Sequence, residues 1–351
     1  MNAIQLEDFQ ALAALQTLPW EDLRNQTILI TGGTGLIGGN LVRALLFLNQ
    51  EKALHLRLLL PVRDESAAAK KFPEGGEALT LFPYRLGEVP DLDGEVDFIV
   101  HLASPTDSRF FKDRPADTLL ANLDGTRSML ELARKKKVRK MVFLSTMEVY
   151  GTPSKGHPVT ESELGAFDTM SARNSYPIAK QASEALCHAY YSQYGVPAVV
   201  LRLTQTFGPG VRYDDGRVFA EFMRCVLEGR DIVLRSPGAT ERPYLYTADA
   251  VSAILHGMLK GEPGEAYTAA NPESYCSIRE MAELVAGTVA DGSIRVVTDL
   301  SEDPAKFGYA DTLTMMLDIS KMLRLGWTPT VSLRDMFARM IAWQQEQERD
   351  I

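Results

Sequence analysis

Thr27-Ile28-Leu29-Ile30-Thr31-Gly32-Gly33-Thr34-Gly35-Leu36-Ile37-Gly38 decides the fold. The first five residues are apolar or β-branched and read as a short buried strand. Glycines at 32, 35 and 38 follow, and apolar residues then recur at helical spacing from Leu36 to Leu48. A glycine turn that ends a strand and opens a helix is the fingerprint of a dinucleotide site. A side chain on Gly32 or Gly35 would hold a pyrophosphate away from the backbone. Gly38 would let the helix pack close to the sheet. Unpaired amides at the helix N-terminus, including those of Leu36, Ile37 and Gly38, then face the phosphates. The bland alternative is a tight turn without a ligand, and the flanking elements weigh against it.

Working outward, the next strand is Leu56–Val62, followed by an apolar run at Val96–Leu102. A helix at 115–136, a strand at Lys140–Ser145, a helix at about 174–194 and a strand at Ala198–Leu203 continue the alternation. Nearly continuous apolar strands separated by helices predict an α/β fold, a Rossmann-type doubly wound parallel sheet covered on both faces. Past Phe207-Gly208-Pro209-Gly210 the texture becomes turn-rich. Ser277-Ile278-Arg279-Glu280 has the form of a capping box opening a helix through about Val289, and a last amphipathic helix spans Leu333 to Gln347. The expected division is an N-terminal helical extension (1–25), a dinucleotide-binding domain (26–205) and a smaller, mixed, substrate-binding domain (206–351). Some chain near 240–260 returns to the first domain. Trp20 and Leu23 are expected to pin the extension.

Composition excludes several function classes. The chain has 351 residues and a formal net charge of −9, so long-range attraction to nucleic acid is not expected. A small anion needs only a local positive site. Three scattered cysteines, Cys187, Cys225 and Cys276, make neither a disulfide framework nor a metal pattern, so no metal is expected. A reducing, cytoplasmic setting follows. The N-terminal stretch lacks a basic segment and a continuous apolar core, so it does not read as a signal peptide. No apolar run reaches about 18 residues, so no membrane partner is expected.

Tyr176 and Lys180 lie at i and i+4, on one face of a helix. A free phenol titrates near ~10. A neighbouring ammonium and a cationic nicotinamide ring favour the phenolate, which then takes the proton of a substrate hydroxyl as its carbon loses hydride. Just upstream, Ser145-Thr146-Met147-Glu148 follows a strand whose C-terminal end faces the ligand crevice. The Thr146 hydroxyl is a candidate to hold the reacting oxygen, and the Glu148 carboxylate to accept a carbon-bound proton. The plain alternative is a polar loop satisfied by local hydrogen bonds. Arg63, the first polar residue past the second strand, favours the 2′-phosphate of NADP; the adjacent Asp64 suits the ribose of NAD.

These landmarks resemble the extended short-chain dehydrogenase/reductases of the NAD-dependent epimerase/dehydratase type, which modify nucleotide sugars. The matching positions run over about residues 25–345. They include Thr31–Gly38, His101 to Ser104, Asn122 with Gly125 and Thr126, Ser145–Gly151, the Tyr176/Lys180 pair, Arg202 to Pro209, Arg242 with Tyr246 and Asp249, and Asn271. The resemblance implies that Thr146, Tyr176 and Lys180 are catalytic. It implies that Gly32–Gly38, Arg63, Leu102, Ala103, Ser104, Asn122 and Ser145 line an NAD or NADP cofactor. Arg242, with Arg217, would grip the diphosphate of a nucleotide-diphosphate sugar. Gln205 stands where the family usually has asparagine, and Ala179 where serine often precedes the lysine. Homodimerisation through the helices preceding and containing Tyr176 is also implied.

Members of this family begin by oxidising a sugar hydroxyl, usually at C4. Simple 4-epimerases lack a carboxylate at the position of Glu148. The 4,6-dehydratases carry Thr-Asp-Glu there, and UDP-glucuronate decarboxylases Thr-Ser-Glu. This chain reads Thr146-Met147-Glu148. Glu148 favours chemistry at C5 or C6 after a 4-keto intermediate, by decarboxylation or dehydration. Met147 has no proton for a leaving hydroxyl, and Asp214-Asp215-Gly216-Arg217-Val218 also resembles the decarboxylases. The alternatives are a nucleotide-sugar 4-epimerase or C5 epimerase, an NADP-dependent carbonyl reductase, and a non-catalytic dinucleotide-binding protein.

Overall fold

A computed structural model describes residues 2–105, 108–153, 156–301 and 313–349. Twelve strands occur among them: β1 (Thr27–Thr31), β2 (Arg57–Val62), β3 (Leu79–Pro83), β4 (Phe98–His101), β5 (Lys140–Thr146), β6 (Ala198–Leu203), β7 (Gln205–Phe207), β8 (Ile232–Leu234), β9 (Glu241–Tyr246), β10 (Ala266–Ala269), β11 (Asn271–Ser277) and β12 (Val296–Thr298). Seven of them form one sheet in the order β10-β6-β5-β4-β1-β2-β3, with every pairing parallel. The doubly wound parallel sheet is therefore present. Its strand order reverses between β1 and β4, and ligands of such sheets bind at that switch point, outside the strand C-termini.

The uniform apolar strands conceal an alternation. Ile28 and Ile30 of β1 pack into one core with α1 (Ala3–Ala13), α2 (Leu36–Glu51) and a later helix at Thr247–Lys260. Leu29 points to the other face, into a core that holds Met129, Leu130 and Cys187. Those three lie on the helices Pro115–Lys136 and Ser175–Tyr194. The same switch recurs in β6, where Val199 and Leu201 join the first core and Ala198 and Val200 the second. Period-two geometry persists, but both faces are dry, so polarity does not reveal it.

In chain order the remaining helices are α3 (Glu65–Lys71), α4 (Ser108–Asp113), α5 (Pro115–Lys136), α6 (Ser175–Tyr194), α7 (Val218–Glu228), α8 (Thr247–Lys260), α9 (Ile278–Leu284), α10 (Ser320–Arg324) and α11 (Leu333–Arg349). The expected capping box is made: Ser277 Oγ accepts from the Glu280 amide at 3.0 Å, and Glu280 Oε2 from the Ser277 amide at 2.7 Å. The helix it opens continues past Leu284 as a π turn, Val285–Val289.

After β6 the chain leaves the large sheet at Thr204. A second sheet follows, β11-β9-β7, with β7 and β9 parallel and β9 and β11 antiparallel. Around it lies a separate core containing Phe207, Phe219, Tyr244 and Phe337. α8 then covers the large sheet, and β10 completes its edge.

The N-terminal helix is built into this frame. Phe9 and Leu12 are buried with α2 and α8. Asp8 accepts from the Tyr246 hydroxyl at 2.7 Å and from Arg339 Nη2 at 2.8 Å. Gln5 Nε2 donates to Asn40 Oδ1, whose amide in turn reaches the Pro209 carbonyl. Leu23 is fully buried, and Trp20 packs on the same core.

Candidate active site

The glycine turn is shaped by its own backbone. Gly32 has φ +69°, and a Cβ there would lie 2.8 Å from the Ala103 amide nitrogen. A Cβ on Gly38 would stand 2.2 Å from the Gly32 carbonyl oxygen. Gly38 thus permits contact between helix and turn, whereas the sequence suggested contact between helix and sheet. Gly35 is the exposed N-cap of α2 and has no side-chain cap. The first amides of this 16-residue helix, at Leu36 and Ile37, are left for an anion. This uncapped glycine cradle fits a dinucleotide pyrophosphate.

The β4 exit closes against the turn. Thr31 Oγ1 accepts from the amides of Leu102 and Ala103, both at 3.2 Å, and lies 2.7 Å from His101 Nδ1. Burial, and then the charge of Lys180, hold the His101 imidazole down to about 3, so it stays neutral. Ser104 Oγ donates to Asn122 Oδ1 at 2.8 Å, tying this loop to α5. At the end of β2, Arg63 is exposed. Asp64 accepts from the Ala67 amide at 2.9 Å and caps α3. Lys71, at the end of α3, donates to the Thr34 carbonyl of the glycine turn at 2.7 Å.

Tyr176 and Lys180 share a face of α6 and are both buried. Lys180 Nζ donates to the Leu144 carbonyl at 2.8 Å and lies 5.9 Å from the Tyr176 ring centroid. Burial lowers the Lys180 ammonium to about 8, with Glu184 opposing the shift. Burial also pushes the Tyr176 phenol well above its ordinary range, and Glu148 pushes it further; Thr146 and Arg173 oppose. Thr146 ends β5, and its hydroxyl accepts from the Glu148 amide at 3.2 Å, opening the short turn Met147–Tyr150. The fold therefore gathers Thr146, Glu148, Tyr176 and Lys180.

Other expected residues fall differently. The Ser145 hydroxyl donates to Glu184 Oε1 at 2.5 Å, inside a buried network with Arg202. Met147 is buried, and Thr204 Oγ1 contacts its sulfur at 3.1 Å. On the small sheet, Gln205 pairs in register with Tyr244, two residues beyond Arg242. Gln205 Oε1 and Arg242 Nε are buried without a partner among the described residues, as groups awaiting a ligand would be. Arg217 is paired with Asp215 at 2.6 Å.

Two residues went unnoticed in the sequence. Arg173 Nη2 donates to Glu148 Oε2 at 2.9 Å, and Phe111 stacks on Tyr176 at 4.3 Å between centroids. Arg173 lies three residues before Tyr176, a spacing that could have drawn attention to it. Phe111 offered no signal.

A parallel sheet with a glycine cradle at its switch point and a buried Tyr/Lys pair beside it defines a nicotinamide-dinucleotide enzyme. Residues 28–270 match the NAD dependent epimerase/dehydratase family, and the chain belongs to that family. Its cofactor is NAD or NADP. UDP-glucuronic acid decarboxylase 6 of Arabidopsis thaliana is 32% identical over 313 residues, covering 89% of this chain and 86% of that one. UDP-glucuronic acid decarboxylase 1 of Xenopus tropicalis is also 32% identical, covering 88% and 69%. The dTDP-glucose 4,6-dehydratase of Streptomyces venezuelae with NAD bound superposes with a TM-score of 0.75 at 25% identity, over 92% of this chain and 98% of that one. UDP-glucose 4-epimerase of Thermotoga maritima gives 0.76 at 23% identity, over 92% and 100%.

Proposed function

We propose that the protein is a lyase acting on a nucleoside diphosphate sugar that carries a carboxylate on C5. After oxidation to a 4-keto intermediate the bond from C5 to that carboxylate breaks, CO2 leaves, the electron pair passes into the C4 ketone, and C5 takes up a proton before C4 is reduced again. When bound, the nicotinamide accepts and returns a hydride. Tyr176 takes the proton of the sugar hydroxyl, Thr146 holds that oxygen, and the Lys180 ammonium favours the phenolate. Arg242 and Arg217 hold the diphosphate within a sugar-binding part spanning 206–351, and Gln205, just before it, contacts the nucleotide.

The carrying observation is that Glu148 stands in the site beside Thr146, its carboxylate held by Arg173, while Met147 is packed away against Thr204. A carboxylate at the site suits C5 chemistry. A buried thioether beside it offers no proton to a leaving hydroxyl, which favours decarboxylation over dehydration. The names of the relatives support the same reading.

Mass spectrometry of the enzyme mixed with a panel of nucleotide sugars tests this. A product lighter by CO2 supports it. A product of unchanged mass with inverted C4 overturns it in favour of a 4-epimerase. Tight binding of UDP in calorimetry would separate these activities from a small-carbonyl reductase. Reduction of the cofactor by substrate would exclude a non-catalytic binder.

Exposed Arg63, with Asp64 engaged as a helix cap, supports NADP as the cofactor. Heating the purified protein and identifying the released dinucleotide checks this, and NAD alone would overturn it. The family resemblance also supports a homodimer through α5 and α6. Light scattering that returns one chain mass would refute that.

A further inference from the structure

Glu148 and Tyr176 place two opposed demands on one site. Forming the phenolate puts a second anion near Glu148, and both burial and Glu148 favour the neutral phenol. A relieving cation comes from the short turn Ala172–Asn174 that leads into α6. Arg173 Nη2 reaches Glu148 Oε2 at 2.9 Å. The same guanidinium lies 5.6 Å from the Phe111 ring centroid, and Phe111 stacks on Tyr176. Arg173 therefore touches the carboxylate on one side and the ring covering the phenol on the other. The turn is held in place, with Asn174 Nδ2 donating to the Asp168 carbonyl at 3.0 Å and Ser175 Oγ to the Phe111 carbonyl at 3.3 Å.

We infer that Arg173 is a positioning residue for the proposed reaction: it orients the Glu148 carboxylate and balances its charge, so that the Tyr176 phenolate can form beside it. This inference rests on the function proposed above. The C5 carboxylate of the proposed substrate would bring further negative charge to a site where Arg173 already holds the Glu148 carboxylate. A guanidinium suits the task because it keeps its charge at working pH and offers several N–H donors in one plane.

The test is a double-mutant cycle on the first half-step. Cofactor reduction is followed by absorbance after mixing nucleotide sugar with wild type, Arg173→Gln, Arg173→Lys, Glu148→Gln and the Arg173→Gln/Glu148→Gln pair. Melting curves accompany each variant. Arg173→Gln should slow cofactor reduction by about 30-fold or more with KM changed less than about threefold, and Arg173→Lys should recover much of the rate. In the Glu148→Gln background the same change should cost less than about threefold, because no carboxylate remains to be balanced. Losses that multiply independently, or an effect on KM alone, overturn the role of Arg173 while leaving the function standing. Wild-type protein that reduces no cofactor with any nucleotide sugar overturns the function, and the role of Arg173 with it.

Discussion

The ring of Phe111 lies parallel to that of Tyr176, with 4.3 Å between centroids and 4° between planes. Phe111 is buried, and it shields from water one face of the phenol proposed to move the substrate proton. Helix α4 thus supplies part of the low-polarity surroundings that raise the Tyr176 pKa.

Phe111→Ala should admit water to the phenol and lower its pKa, since burial is the largest cause of the upward shift. The acid limb of the kcat/KM profile should move to lower pH. Stability should fall by about 3 kcal/mol, as for other truncated buried aromatics. A pH-rate series with a denaturant titration checks both. An unmoved limb would show that Phe111 does not shield Tyr176.

Lys180 predicts opposite effects on activity and stability. Its folded pKa of about 8 lies below the ordinary 10.5. Between those values the unfolded chain binds the extra proton, so stability rises with pH across that window and the cost is fully present below about 8. Lys180→Met should therefore raise stability near neutral pH by about 1–2 kcal/mol, after loss of the bond to Leu144, and the gain should shrink as pH rises from about 8 to 10.5. Cofactor reduction should drop at least ~100-fold. Urea melts at two pH values and a single-turnover assay would report these effects.

Gly35 and Gly38 should fail in different ways. Alanine at 38 drives a methyl into the Gly32 carbonyl, so Gly38→Ala should lower the melting temperature by several degrees. At Gly35 the nearest atom to a methyl is that oxygen at 3.2 Å, and φ is −74°, so Gly35→Ala should fold. It should weaken dinucleotide binding about tenfold or more, because the methyl occupies the phosphate approach. Calorimetric titration with NAD and NADP distinguishes the two variants.

Asp8 ties the N-terminal helix to β9 and α11, with its carboxyl raised to about 6 by burial against the opposing pull of Tyr246 and Arg339. Between about 3.8 and 6 the folded state binds the extra proton. The contribution of this group to stability is therefore greatest below the unfolded value and is lost as pH rises through about 6. Asp8→Asn should flatten the pH dependence of the melting temperature across that window. An unchanged slope would show that Asp8 does not titrate there.

Much of the frame was legible because it is local. Helix α5 begins at Pro115 and ends at Lys136 where periodicity put it, and β6 spans Ala198–Leu203 as read. Edge strand β3 escaped notice: none of its five residues is fully buried, and it lacks the long apolar run that marked its neighbours. The small sheet was also hard to read, since β7 and β9 depend on pairing distant residues such as Gln205 and Tyr244.

By itself the sequence determined the glycine turn, the Tyr176/Lys180 pair and the Thr146-Met147-Glu148 run. Each follows from contiguous backbone geometry or an i,i+4 helical spacing. Only the tertiary structure decided what surrounds them: Phe111 over Tyr176, Arg173 against Glu148, the Ser145 hydroxyl committed to Glu184, and Met147 turned into the core. These contacts join residues far apart in the chain. Their geometry depends on how helices seat on the sheet and which neighbours exclude water, and local pattern does not encode either.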